Sequence, residues 1–174
     1  MNDQALKVLH ERRSIRKFKP RQIADDALSA VLEAGTYAPS AMGKQSAIIV
    51  AVQNKDDIAQ LSKMNAAIMK ANIDPYYGAP TVLLVFADRS ASCPVEDGCA
   101  VMTYLLTAAA AAGLGACWVN REKQMFDSEE GKALLRKWGI NGDYVGVAGC
   151  ALGYMEGAAP SPAPRKIQYI TLVR

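Results

Sequence analysis

The stretch Val95 to Gly113, VEDGCAVMTYLLTAAAAAG, constrains this chain more than any other. After a first turn holding Glu96 and Asp97 it is apolar on almost every side. A helix with no polar face must be covered all round, so the pattern predicts a helix at the centre of the molecule. Its apolar part, Cys99 to Leu114, falls short of the ~18–20 residues that a bilayer-spanning helix needs. The N-terminal MNDQALKVLHER is polar and lacks the apolar core of a secretory signal. A soluble, cytoplasmic protein is expected.

Other segments supply partners for that helix. TVLLVFA (81–87) is a continuous β-rich run, which suits a strand buried on both faces. AIIVAVQ (47–53), ACWV (116–119) and YVGVAGCALG (144–153) read as further strands, and IQYITLV (167–173) as a last one. Helices are expected over 3–11, from a cap at Asp25 or Asp26 to Gly35, over 56–70 and over 128–138. The last places acids early and bases late, as the helix dipole favours. With 174 residues and no repeats, one domain is expected, with helices covering a central sheet. The final strand follows the Pro-rich GAAPSPAP (157–164) and could equally pair with a neighbouring subunit.

Several chemistries have no residues to carry them. The only histidine, His10, lies near the terminus, which leaves a Ser-His-Asp triad without a candidate. The four cysteines, Cys93, Cys99, Cys117 and Cys150, form no CxxC pair, so no metal site is expected and reduced thiols are. GLGACW (113–118) lacks the spacing of a dinucleotide fingerprint and precedes a strand. An enzyme built from this chain would lean on a cofactor.

The run RRSIRKFKPR (12–21) has six cations in ten residues and no acid, in a chain of net charge only +3. A dedicated nucleic-acid binder would carry more. If the segment is extended, Arg12, Ser14 and Arg16 point the same way. Two guanidinium groups and a hydroxyl suit a phosphomonoester. A solvated basic loop, or a contact to RNA or lipid, would read the same at this level.

Five motifs in order bring in a resemblance. They are RRSIRKF (12–18), APSAMGKQ (38–45), DPYYGAP (74–80), GLGACWV (113–119), and LGY (152–154) followed by PRK (164–166). Together they resemble the short, single-domain members of the FMN-dependent nitroreductase family over nearly the whole chain. The resemblance implies an α+β fold: a three-layer α/β/α sandwich with a mixed, mainly antiparallel sheet. It implies one domain over 1–174 whose extension from about 157 packs on the partner of a homodimer. FMN would be held without a covalent bond at the subunit interface.

By the same resemblance Arg12, Ser14 and Arg16 hold the phosphate and ribityl chain and reach the pyrimidine edge of the flavin, with Arg13 beside them. Arg165 and Lys166 close on the phosphate. Ser40, Ala41 and Met42 line the ring from the partner subunit, and Gln45 bonds the ring or ribityl. Asn65 faces the polar edge of the ring, and Trp118 and Val119 run along it near N5. The loop departs from the family's common form: Gly43, Lys44, Ser46 and Ala47 replace an Asn and a Pro-aromatic pair, while Gln45 is kept. No catalytic side chain is implied. The expected activity is NADH- or NADPH-driven reduction of nitroaromatics, quinones or similar small acceptors by a ping-pong scheme. The alternative is an FMN protein of the same fold with a storage role or another electron donor.

Overall fold

A computed structural model describes residues 3–174. Its centre is a four-stranded sheet of β1 (Ala47–Val52), β2 (Thr81–Asp88), β3 (Gly115–Val119) and β4 (Tyr144–Gly153), in the order β1-β2-β4-β3. Every pairing within the sheet is antiparallel. Ser14 adds an isolated parallel bridge to Ala116. Residues 81–87 of β2 are all buried, as a continuous run of strand-forming residues with no polar alternation requires.

The two faces of β2 define two cores. Val82, Leu84 and Phe86 point to one, shared with α3 (Lys55–Met69), α5 (Glu122–Asp127) and α6 (Glu129–Lys137). Leu83 and Val85 point to the other, shared with α2 (Asp25–Thr36) and α4 (Pro94–Ala111). This is the expected three-layer sandwich. α4 lies close enough to the sheet that a Cβ on Gly98 would fall 2.6 Å from Cγ2 of Val147. α1 (Asp3–Glu11) buries none of its residues.

Helix starts follow local chemistry. Asn54 caps α3 by accepting from the amides of Asp56 and Asp57, and Ser128 caps α6 by accepting from Gly131. Asp25 and Asp26 are not the cap of α2. Ala24 stands there, and the two acids fill the first turn. α5 was not expected, because six mixed residues show no helical period.

Asp57 joins two elements of one outer layer. Its carboxylate is buried and takes bonds from Lys137 Nζ and, at 2.9 Å, from Trp138 Nε1. Lys137, then Trp138, hold Asp57 below the usual carboxylate range. Asp57→Ala should lower stability by about 1–3 kcal/mol at neutral pH, read by urea unfolding. The deficit should shrink on acidification. A depressed carboxylate contributes fully above its unfolded pKa and loses its contribution as pH falls through the folded one.

Two expectations are corrected. α4 is not enclosed within one chain: Tyr104 and Val95 are 41% and 50% exposed. With Leu9, Ala30 and Ala34 its open face forms an apolar groove of about 700 Å³. The strand expected over 167–173 is also absent. Residues 157–174 are exposed throughout, including Ile167, Ile170 and Val173. That pattern has strand character but meets no sheet edge in its own chain.

Candidate functional site

The basic segment leaves α1 and runs extended beside β3. Ile15 N donates to Ala116 O at 2.9 Å, and Ile15 and Phe18 are buried. The alternation of an extended chain then decides which cations gather. Arg16, the Ser14 hydroxyl and Arg12 all act on the buried Cys117 thiol. Burial pushes that thiol up, and these three groups pull against it. Arg16 also lies 5.9 Å from the Tyr77 ring centroid, and Tyr77 followed by Cys117 favours its charged form. Tyr77 has φ 58°, a left-handed backbone that is unusual for a bulky side chain.

None of the six cations in 12–21 has an ion-pair partner among the described residues. A small cavity of about 180 Å³ lies where α1 meets this segment, lined by Glu11, Arg12, Arg13, Ile15 and Gly113, with neither Ser14 nor Arg16 in its wall. The result is an unneutralised cationic shelf along the β3 edge.

Arg13 is turned away from it. Its Nη1 donates to the carbonyls of His10 and Arg12 at 2.6 and 2.7 Å, and its Nε is buried without a partner. An odd position in an extended run faces the side opposite Arg12, Ser14 and Arg16. Arg165 and Lys166 make contacts within the tail alone: Arg165 donates to Ala163 O, and Lys166 sits 5.0 Å from the Tyr169 ring centroid.

The segment 40–45 belongs to a different part of the molecule. Ala41–Gly43 is a single 3-10 turn, with Met42 and Gln45 at φ 53° and 51°. The Gln45 amide donates to Ser40 Oγ at 2.9 Å, and Met42 is 76% exposed. Buried Asp97, at the start of α4, holds this loop by accepting from Ala41 N at 2.8 Å and Ser46 Oγ at 2.5 Å. Sequence reading noted Asp97 only as an acid at a helix start.

The loop leads into β1, whereas the cationic shelf lies along β3. These are opposite edges of the sheet, three strand spacings or roughly 14 Å apart.

Trp118 is half-buried and donates from Nε1 to Asn120 Oδ1 at 2.7 Å, while Val119 is buried on the other face. Asn65 is wholly buried and lines no open surface. Its Nδ2 donates to Asn120 O at 2.8 Å, and its Oδ1 has no partner. Among the described residues no His, Cys, Asp or Glu cluster fits a metal ion, and no helix is long and apolar enough to cross a membrane.

Known proteins share this architecture. The nitroreductase family profile matches residues 9–154. A protein of Archaeoglobus fulgidus, provisionally named NADH dehydrogenase/NAD(P)H nitroreductase, is 31% identical over 160 residues, covering 87% of this chain and 86% of its own. A nitroreductase with bound FMN from Bacteroides fragilis superposes with a TM-score of 0.90 at 29% identity, covering 98% of this chain and 99% of that one. Another with bound FMN, from Desulfitobacterium hafniense, gives 0.89 at 25% identity with both chains fully covered. A profile spanning helix, shelf, loop and sheet, with likeness along the full length of both chains, places this protein in the nitroreductase family.

Proposed function

We propose that the chain is an FMN-dependent oxidoreductase that draws electrons from NADH or NADPH and reduces flat, electron-poor acceptors such as nitroaromatics and quinones. The observation that carries this reading is the shelf of Arg12, Ser14 and Arg16, three groups turned to one side of β3 whose two guanidinium groups make no ion pair among the described residues. Guanidinium forks and a hydroxyl bind a phosphomonoester through charge-assisted bonds. FMN, when bound, supplies the electron carrier that the chain's own side chains lack.

Each group has a part in this reading. Arg12 and Ser14 bind the phosphate. Arg16 is a permanent cation held against Tyr77, and it favours the more negative state of a bound ring. β3 provides the wall at Trp118 and Val119. No side chain needs to act as a nucleophile. Arg165 and Lys166 add phosphate contacts once the tail is placed.

The working unit in this reading is a homodimer. One chain carries the shelf at one sheet edge and the loop of Ser40, Ala41, Met42 and Gln45 at the other. A second copy would bring its loop to the first copy's shelf. The open apolar groove on α4 and the exposed apolar tail from 157 both gain cover in such a dimer.

The test is a visible spectrum of the purified protein with FMN, repeated anaerobically with NADH and then NADPH. A flavin band that bleaches is the expected result, and the faster donor is the preferred one. A band that persists with both donors assigns the flavin to a different electron source. Failure to acquire any flavin band would overturn the proposal.

A further inference from the structure

The exit from β3 holds a buried acid that the reading above does not use. Glu122 is completely inaccessible to solvent. Its Oε1 accepts from the Tyr76 hydroxyl at 3.3 Å, and its Oε2 has no partner. Two glycines of β4 make room for it. A Cβ on Gly149 would stand 2.1 Å from Oε1, and one on Gly146 would stand 2.5 Å from the Glu122 carbonyl oxygen.

A carboxylate buried with so few donors is far costlier than a neutral acid. Burial pushes Glu122 up to about 7, against the pull of its own amide, Tyr76, Arg121 and the Gly149 amide. The other titratable groups facing it stay neutral in that range. Tyr76, from the turn before β2 and with Asp74 behind it, is pushed well above its usual value by burial. Cys150 of β4 is pushed up to about 12, also by burial. Asn65 of α3 is uncharged, and Arg121 is a cation that pulls Glu122 toward its charged form.

The residue just before Glu122 is strained. Arg121 has φ 93°, a backbone that non-glycine residues adopt only when their surroundings enforce it. Three anchors enforce it here. Asn65 holds the Asn120 carbonyl, Trp118 Nε1 holds the Asn120 side chain, and Glu122 is locked beneath Gly149 and Tyr76.

We propose that Glu122 is a positioning residue, a protonated carboxyl closed off from solvent that pins the strained Asn120–Arg121 exit of β3. Loss of its proton would loosen the wall along which the ring is placed. The link to the ring rests on the flavin reading, while the buried proton does not.

The sign follows from linkage. Between the unfolded value of about 4.5 and the folded value of about 7, the native state holds a proton that the unfolded chain has lost. Stability from this group is full below that window and lost as pH rises through it.

The test compares wild type with Glu122→Gln, which cannot titrate. In urea unfolding of the flavin-free proteins, the ratio of their unfolding constants should change on the order of tens-fold between about pH 5 and about pH 8, in the variant's favour at high pH. Amide hydrogen exchange over 118–122, corrected for intrinsic rates, should accelerate with pH in wild type and not in the variant. FMN binding should weaken several-fold more in wild type than in the variant across the same range, and titration of the FMN phosphate cancels between the two.

Parallel stability curves would overturn the buried proton. Parallel exchange curves would overturn the positioning role. Absence of FMN binding in both proteins, with the first two differences intact, would defeat the flavin reading and leave Glu122 as assigned. Should the variant not fold, infrared spectra of wild type near pH 6 must show a protonated carboxyl band that titrates toward pH 8, and its absence would refute the proposal.

Discussion

Arg12→Ala should weaken FMN binding by about 1.5–3 kcal/mol, roughly ten- to a hundredfold in Kd, because a charge-assisted contact is removed and nothing nearby replaces it. Arg12 is half-buried and makes no ion pair among the described residues. Its removal therefore should leave stability close to that of wild type. Arg12→Lys keeps the charge but loses the planar fork, so it should recover part of the affinity and not all of it. Equilibrium titration of flavin-free protein, followed by quenching of FMN fluorescence, reads the constants. Equal Kd values for wild type and Arg12→Ala would remove Arg12 from the phosphate site. An equally large loss on replacing Arg13, whose guanidinium is spent on the carbonyls of His10 and Arg12, would show that the shelf has been drawn on the wrong side of the segment.

Phe86→Ala should be the most damaging single change to the fold, at about 3–5 kcal/mol. Phe86 is wholly buried on β2, and its ring meets Phe126 of α5 edge-on with centroids 4.7 Å apart. Phe126 in turn lies 6.2 Å from Trp138. Truncation removes apolar contacts from the centre of the sheet and leaves a cavity that rigid strands on either side cannot close. Such a loss is a large part of the 5–15 kcal/mol typical of whole domains. The thermal midpoint should fall by roughly 10 °C or more. A shift of only a degree or two would mean that the layer of α5 and α6 contributes little to holding the sheet.

What was legible in the sequence was legible for physical reasons. The buried β2 run and the apolar α4 announced themselves because continuous apolar composition admits few placements. The common direction of Arg12, Ser14 and Arg16 followed from two-residue alternation once the segment was taken as extended. The same rule also puts Arg13 on the other side.

The tail failed differently. IQYITLV has strand character, but whether it pairs depends on an edge being available, and no sequence pattern records that. The sequence also gives no sign that Asn65 donates to the Asn120 carbonyl, because that contact joins residues 55 apart in the chain. Glu122 gave no signal of its own, since a buried acid and a surface acid are spelled alike. The sign lay in β4, where Gly146 and Gly149 interrupt a strand and mark a place another group must approach closely.

The opposite-edge placement of shelf and loop has a genetic consequence. In the proposed dimer each site takes its shelf from one chain and its loop from the other. An allele damaged at Arg12 and an allele damaged in the loop at 40–45 are then each inactive alone. Expressed together, they form mixed dimers in which one site collects both defects and the other collects neither. Two defective alleles would complement each other up to about half the activity of each mixed dimer, whereas two shelf alleles never could.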